Sequence, residues 1–123
     1  MSSAVGELKR ILGEFNMRFG ASMSAIVSRS GVPIAWSVPS GTGVDNFAAL
    51  SATLLGASDV IYSSIGKTPP ARIIVESEDG TLVVTGLGHK AFVVALFQKS
   101  APENLRGMDE VSSAIMDVLR GPM

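Results

Sequence analysis

From Met1 to Phe19 the apolar side chains Val5, Leu8, Ile11, Leu12, Phe15 and Phe19 recur at intervals of three and four. That spacing stacks side chains on one helical face and predicts an amphipathic helix, stopped at Gly20. Two short apolar runs follow, Met23 to Arg29 and Val32 to Val38, on either side of Ser30-Gly31, a break that supplies the positive φ of a tight hairpin. In the second run Val32, Ile34, Trp36 and Val38 alternate with Pro33, Ala35 and Ser37. A proline near its start suits an edge strand, which can spare a donor. After the loop Pro39 to Gly43, Asp45 is placed to cap a helix over about Asn46 to Ile65, closed by Gly66 and by Pro69-Pro70 beyond it. Phe47, Leu50, Leu54, Ile61 and Ile65 share one face of that helix and are expected to meet the core.

Ala71 to Ser77, Leu82 to Leu87 and Lys90 to Gln98 read as three strands, joined by turns at Glu78-Asp79-Gly80 and Gly88-His89. The stretch Ala91 to Phe97 is apolar without alternation, so both of its faces are expected to be covered and the strand to lie near the middle of a sheet. Helices must then flank that sheet on both sides. Ser100 and Glu103 fit a capping box for a last helix, whose apolar stripe is Leu105, Met108, Val111, Ile115, Val118 and Leu119. No composition shift, repeat or low-complexity segment divides the chain, and the pattern predicts one α/β domain over residues 1–123.

With 123 residues and 46% of them hydrophobic, such a domain can bury roughly two-thirds of the surface of its unfolded chain. Cysteine is absent, which removes disulfides and thiolate metal sites and leaves a reducing, cytoplasmic setting as the expectation. Ten basic and eleven acidic residues are scattered along the chain, giving a net charge of −1. That pattern argues against nucleic acid, whose phosphates select clustered Lys and Arg. Glu7, Lys9, Arg10, Glu14 and Arg18 rule out a signal-peptide core in the first helix, and no segment is apolar enough to suggest insertion into a membrane.

The motifs that could carry chemistry are weak. Ser64-Ile65-Gly66-Lys67-Thr68 has the tail of a phosphate-binding loop, but position 61 is Ile where that loop needs Gly, and the segment ends a helix instead of starting one. Gly86-Leu87-Gly88 joins two strands and lacks the helix start that holds a dinucleotide pyrophosphate. Pro39 to Gly43 precedes a helix, whose free amides suit an anion, although a plain connection explains the segment as well. His89 stands alone in a turn, and Glu76, Glu78 and Asp79 cluster about a hairpin, where acids keep a turn solvated. No catalytic residue, cofactor or metal is expected.

The second helix is more informative. Opposite Phe47, Leu50, Leu54 and Ile61 its back face carries Ala49, Ala52, Gly56 and Ser63, with Asp59 as the one charge and Leu55 and Tyr62 flanking. Small side chains at such intervals admit a second helix closely, whereas a solvated face is normally charged.

Three segments resemble the Roadblock/dynein light-chain family, whose relatives regulate Ras-like GTPases: Met23 to Ala35, the small-residue helix Phe47 to Ile65, and Ile73 to Val84 with the apolar strand after it. The resemblance spans nearly the whole chain. It implies a five-stranded antiparallel sheet in the order 2-1-5-4-3, with the first and last helices on one face and the second helix on the other. It implies as well a homodimer in which the third strands pair and the second helices pack antiparallel, forming a platform for a Ras-like small GTPase. The expected interface is Ala49, Ala52, Leu55, Gly56, Asp59, Val60, Tyr62 and Ser63 on the helix, with Arg72, Ile74 and Glu76 on the strand. None of Arg29, Arg72 and Arg106 matches an arginine finger. The competing expectations are a small-ligand sensor, with Trp36 and Tyr62 lining a pocket, and a dimerisation module without a GTPase.

Overall fold

In the computed structural model, which describes residues 3–121, the apolar run Ala91–Phe97 (β5) is the middle strand of a five-stranded antiparallel sheet. The order is β2-β1-β5-β4-β3, with β1 at Ala21–Ser28, β2 at Pro33–Ser37, β3 at Arg72–Ser77 and β4 at Gly80–Leu87. Every residue of β5 except Leu96 is buried, because both faces of the sheet are covered. On one side α1 (Ala4–Phe19) and α3 (Pro102–Arg120) pack over Ile26, Val83, Val93 and Ala95. On the other, α2 (Val44–Ser64) packs over Ala25, Val27, Phe92 and Val94. Order and layering agree with the sequence reading.

The first layer is held in depth. Ser3 caps α1 by accepting from the Gly6 amide at 3.0 Å, and Gly20, at φ 71°, closes it in the left-handed conformation that glycine adopts freely. The expected start of this helix at Met1 lies outside the described residues. Leu8, Leu12 and Phe15 are buried, Phe15 standing edge-on to Phe97 with ring centroids 5.8 Å apart. Val5, at the helix start, stays exposed. Asn16 ties α1 to the sheet: its amide donates to the Ser37 carbonyl at 3.1 Å, and its carbonyl accepts from the buried Ser24 hydroxyl at 2.7 Å. On the outer surface the Arg10 guanidinium bonds Glu7 and Glu14, holding the Glu7 carboxyl below its ordinary range.

Three local expectations are corrected. Ser100 does not cap α3; the cap is Ala101, followed by Pro102 in the first turn, while the Ser100 hydroxyl donates to Glu76 at 2.8 Å. Proline at the helix start needs no partner for a missing amide, so the capping hydroxyl is free for the strand. Leu119, assigned to the buried stripe, is exposed one turn beyond Ile115. In β2 the residue sealed in the core is Ala35, and Ile34 packs on the same side. The pairing with β1 runs Ile26↔Ala35 and then Val27↔Pro33, so Ile34 is the extra residue of a bulge and strict alternation fails there.

Gly80 belongs to β4 and not to the turn, which consists of Glu78 and Asp79 alone. A Cβ at Gly80 would lie 2.8 Å from the Phe97 carbonyl oxygen, a backbone atom fixed in the central strand. Gly80→Ala is therefore expected to cost about 1–3 kcal/mol through overpacking, read as a lower denaturant midpoint at unchanged slope.

Candidate functional site

α2 spans 21 residues and contains no Lys, Arg or Glu; its charges are Asp45 and Asp59. Asp45, expected at the cap, sits in the first turn, and Gly43 takes the cap position without a side-chain bond. A carboxylate in the first turn still meets the positive end of the helix dipole. The face against the sheet is Ala48, Ser51 and Leu55, all buried, with Phe47, Ala52 and Leu54 half-buried beside them. This departs from the expected roll of the helix. Leu50 (70% exposed) and Ile61 (59%) point outward, whereas Leu55, assigned to the interface, is 1% exposed and fills the core.

The reason lies in the β1–β2 hairpin. Gly31, at φ 94° in its turn, rests on the helix so closely that a Cβ there would lie 3.4 Å from the Ala49 Cα and 3.5 Å from the Ala52 Cβ. Ala49 and Ala52 are thus small partly to receive a turn of their own chain. A second tether sits further along: Arg29, just past the end of β1, pairs with Asp59 at 3.1 Å and reaches the Gly88 carbonyl at 3.4 Å. Both side chains are about one-third exposed. Arg29 Nε and Asp59 Oδ1 are nevertheless buried without partners, so the pair is only partly satisfied.

Of the remaining expected helix residues, Gly56, Val60, Tyr62 and Ser63 are all on the surface. Nothing lies within 4 Å of where a Gly56 Cβ would stand. Together with Leu50, Ile61 and Ile65 they make an uncharged outer surface with large apolar side chains in water. Sequence reasoning missed Leu50, Ile61 and Ile65 for this surface because it assigned them to the core.

β3 carries the rest of the expected set. Ile74 and Glu76 are exposed, while Arg72 is half-buried, its Nε donating to Thr85 Oγ1 at 3.3 Å and its guanidinium paired with Asp109. Arg29 and Arg106 also have carboxylate partners, Asp59 and Glu110. Trp36 is half-buried beneath α2 and Tyr62 lies near that helix's C-terminus; neither lines the clefts beside Asp59, between α1 and α3, or between β3 and the start of α3. Among the described residues no group of His, Asp and Glu could hold a metal ion, and no helix is long and apolar enough to cross a membrane.

The model of the Roadblock/LC7 domain matches residues 7–97. The chain belongs to the Roadblock/LC7 family. Its fold is shared by the Roadblock/LC7 relatives of known structure. MglB in a tetrameric arrangement superposes with a TM-score of 0.85 at 19% identity, covering 98% of this chain and 93% of that one. The gliding protein MglB from Thermus thermophilus gives 0.84 at 19%, covering 99% and 95%. Profilin IB of Acanthamoeba castellanii gives 0.64 at 13%, covering 89% and 96%. No curated protein sequence matches the chain.

Two substitutions test this Roadblock/LC7 surface. Asp59→Ala should lower stability by about 1 kcal/mol, since the stranded guanidinium is partly exposed, and should speed amide exchange in the second half of α2. A global loss without local acceleration would contradict a tether. Gly56→Ala should stabilise the isolated fold by about 0.5–1 kcal/mol in thermal or denaturant unfolding, because the methyl meets no atom of its own chain.

Proposed function

We propose that this Roadblock/LC7 chain acts as a non-catalytic adaptor or regulator, a homodimer whose paired α2 helices bind a Ras-like small GTPase. The domain is read as residues 1–123. The observation that carries the reading is the outer face of α2: Leu50, Val60, Ile61 and Ile65 are each more than half exposed on a surface without a single basic residue. A monomer in water gains nothing from such a face, whereas a subunit and a partner that cover it gain its burial. Family membership supports the class of partner.

The proposed interface is revised by the geometry. Leu55, Ala52 and Asp59 serve contacts within the chain, so the helix contributes Gly56, Val60, Tyr62 and Ser63 with Leu50, Ile61 and part of Ala49, and β3 contributes its edge. Immobilised protein should retain a Ras-like GTPase from the same genome in a manner that depends on bound GTP or GDP. Ile61→Glu should weaken that retention by about tenfold or more while the thermal midpoint shifts by only a few degrees. Equal, nucleotide-independent background for wild type and variant would remove the GTPase from the reading.

A further inference from the structure

The Arg29–Asp59 pair leaves one buried donor and one buried acceptor unmet, and a buried polar atom without a partner costs more than its bond would have gained. Arg29 Nη1 donates to Asp59 Oδ2 at 3.1 Å, while Nη2 reaches the Gly88 carbonyl only at 3.4 Å. Nε bonds nothing, and neither does Asp59 Oδ1. Nε–H and the Nη2–H beside it form one fork of the guanidinium, matched in spacing to the two oxygens of a carboxylate. That fork carries a single long bond here. The backbone holds it in place, since the Arg29 amide donates to the Lys90 carbonyl at 2.9 Å.

The pair stands on the wall of a cavity of about 470 Å³, within the size range of small-molecule sites. Pro69, Pro70 and Ala71 from the connection between α2 and β3 form another wall, and Gly86 and His89, from the end of β4 and the turn after it, complete the cavity. Gly86 makes room for the guanidinium: a Cβ there would lie 3.3 Å from Arg29 Nη2. Among the described residues Asp59 is the one acid on these walls. Lys67 precedes the connection and Lys90 follows His89, and neither forms an ion pair among the described residues. Their charge favours a ligand that carries an anionic group. Leu50, Val60 and Ile61 do not line the cavity, which is thus separate from the outer face of α2.

We infer that this cavity binds a free α-amino acid, with its carboxylate on the Nε–Nη2 fork of Arg29 and its ammonium on Asp59 Oδ1. One carbon separates the two charged groups of such a ligand, so both can reach a guanidinium and a carboxylate that already touch. A bare oxyanion would satisfy Arg29 but set a like charge against Asp59, and a bare amine would do the reverse. The zwitterion meets both orphaned atoms at once, each through a charge-assisted bond. Neither atom is open to solvent, so binding requires the Asp59 carboxylate to turn. One bond holds that carboxylate, and both side chains of the pair are about one-third exposed. Pro69, Pro70 and Ala71 leave the rest of the cavity uncharged, which suits a small or apolar ligand side chain. The site goes beyond the adaptor reading and does not depend on it.

Titration of the isotope-labelled full chain with L-alanine, L-serine and L-leucine, followed by nuclear magnetic resonance, tests the site. At least one of the three should give saturable shifts of the Gly86, Gly88 and His89 amides and of the Arg29 Nε–H, with a Kd of about 1 mM or tighter. The N-acetyl derivative, which lacks the ammonium, and the amino-acid amide, which lacks the carboxylate, should each bind about tenfold or more weakly. Arg29→Lys keeps the charge but loses the fork, and should weaken the amino acid by about tenfold or more. Asp59→Asn should do the same while leaving the N-acetyl derivative no weaker than in the wild type. Circular dichroism confirms that each variant is folded, and the comparison of ligand derivatives needs no substitution at all. No saturable shift for any of the three up to about 10 mM would overturn the site. An N-acetyl derivative or inorganic phosphate that binds as tightly as the amino acid would reduce it to an oxyanion site and overturn the assignment of Asp59. Binding that survives in folded Arg29→Lys and Asp59→Asn would place the ligand elsewhere and overturn the inference.

Discussion

The roll of α2 about its own axis decides what this molecule shows to its surroundings, and that roll is fixed from below. Near the start of the helix the Gly31 turn lies on Ala49 and Ala52, so closely that larger side chains there would lift the helix. Near its end Asp59 is tied to Arg29. Between those tethers Leu55 is the one large side chain driven fully into the sheet, contributing about 1.5–3 kcal/mol. Once these three points are set, the 100° step of the helix leaves Leu50, Val60 and Ile61 no route inward. The exposed apolar surface is a consequence of the hairpin below it as much as of the helix sequence.

Most of the fold was legible because strong periodicity and turn chemistry agreed. The unalternating run of β5 placed it centrally, Pro33 placed β2 at a rim, and the three- and four-residue spacing of α1 named its buried side chains. α2 was misread for a physical reason. Its composition is nearly uniform in hydrophobicity, so several faces compete for the core and periodicity alone cannot choose between Leu50-Leu54-Ile61 and Ala48-Ser51-Leu55. The choice was made by Gly31, which is distant in sequence and announced in the pattern only as a turn. The Ile34 bulge and the Ala101 cap failed similarly: each depends on a partner strand or a following proline, and single-position rules do not weigh these. Of the residues expected at the interface, Gly56, Val60, Tyr62, Ser63, Ile74 and Glu76 stand on the surface, as an interface requires. Leu55 is instead buried in the core, since an apolar flank looks the same in the sequence whichever way the helix is turned.

The two layers over the sheet differ in how firmly they are attached. α1 and α3 share a large cluster built from Leu8, Leu12, Phe15, Met108, Val111 and Ile115, and Gly107 lets the Phe19 ring settle against α3. α2 has a smaller cluster, the close contact with the Gly31 turn, and one polar tether that is imperfectly satisfied. Local opening should be easier on that side, since few buried contacts hold it. A helix so attached can adjust to whatever covers it without disturbing the α1/α3 core.

On the α2 side and on β3, large apolar side chains stand in the open. Fully covering Leu50, Val60, Ile61 and Ile65 would release on the order of 1–2 kcal/mol each. Such a surface invites indiscriminate association unless geometry selects the partner. In the proposed homodimer, burial of this face would provide the driving force for association.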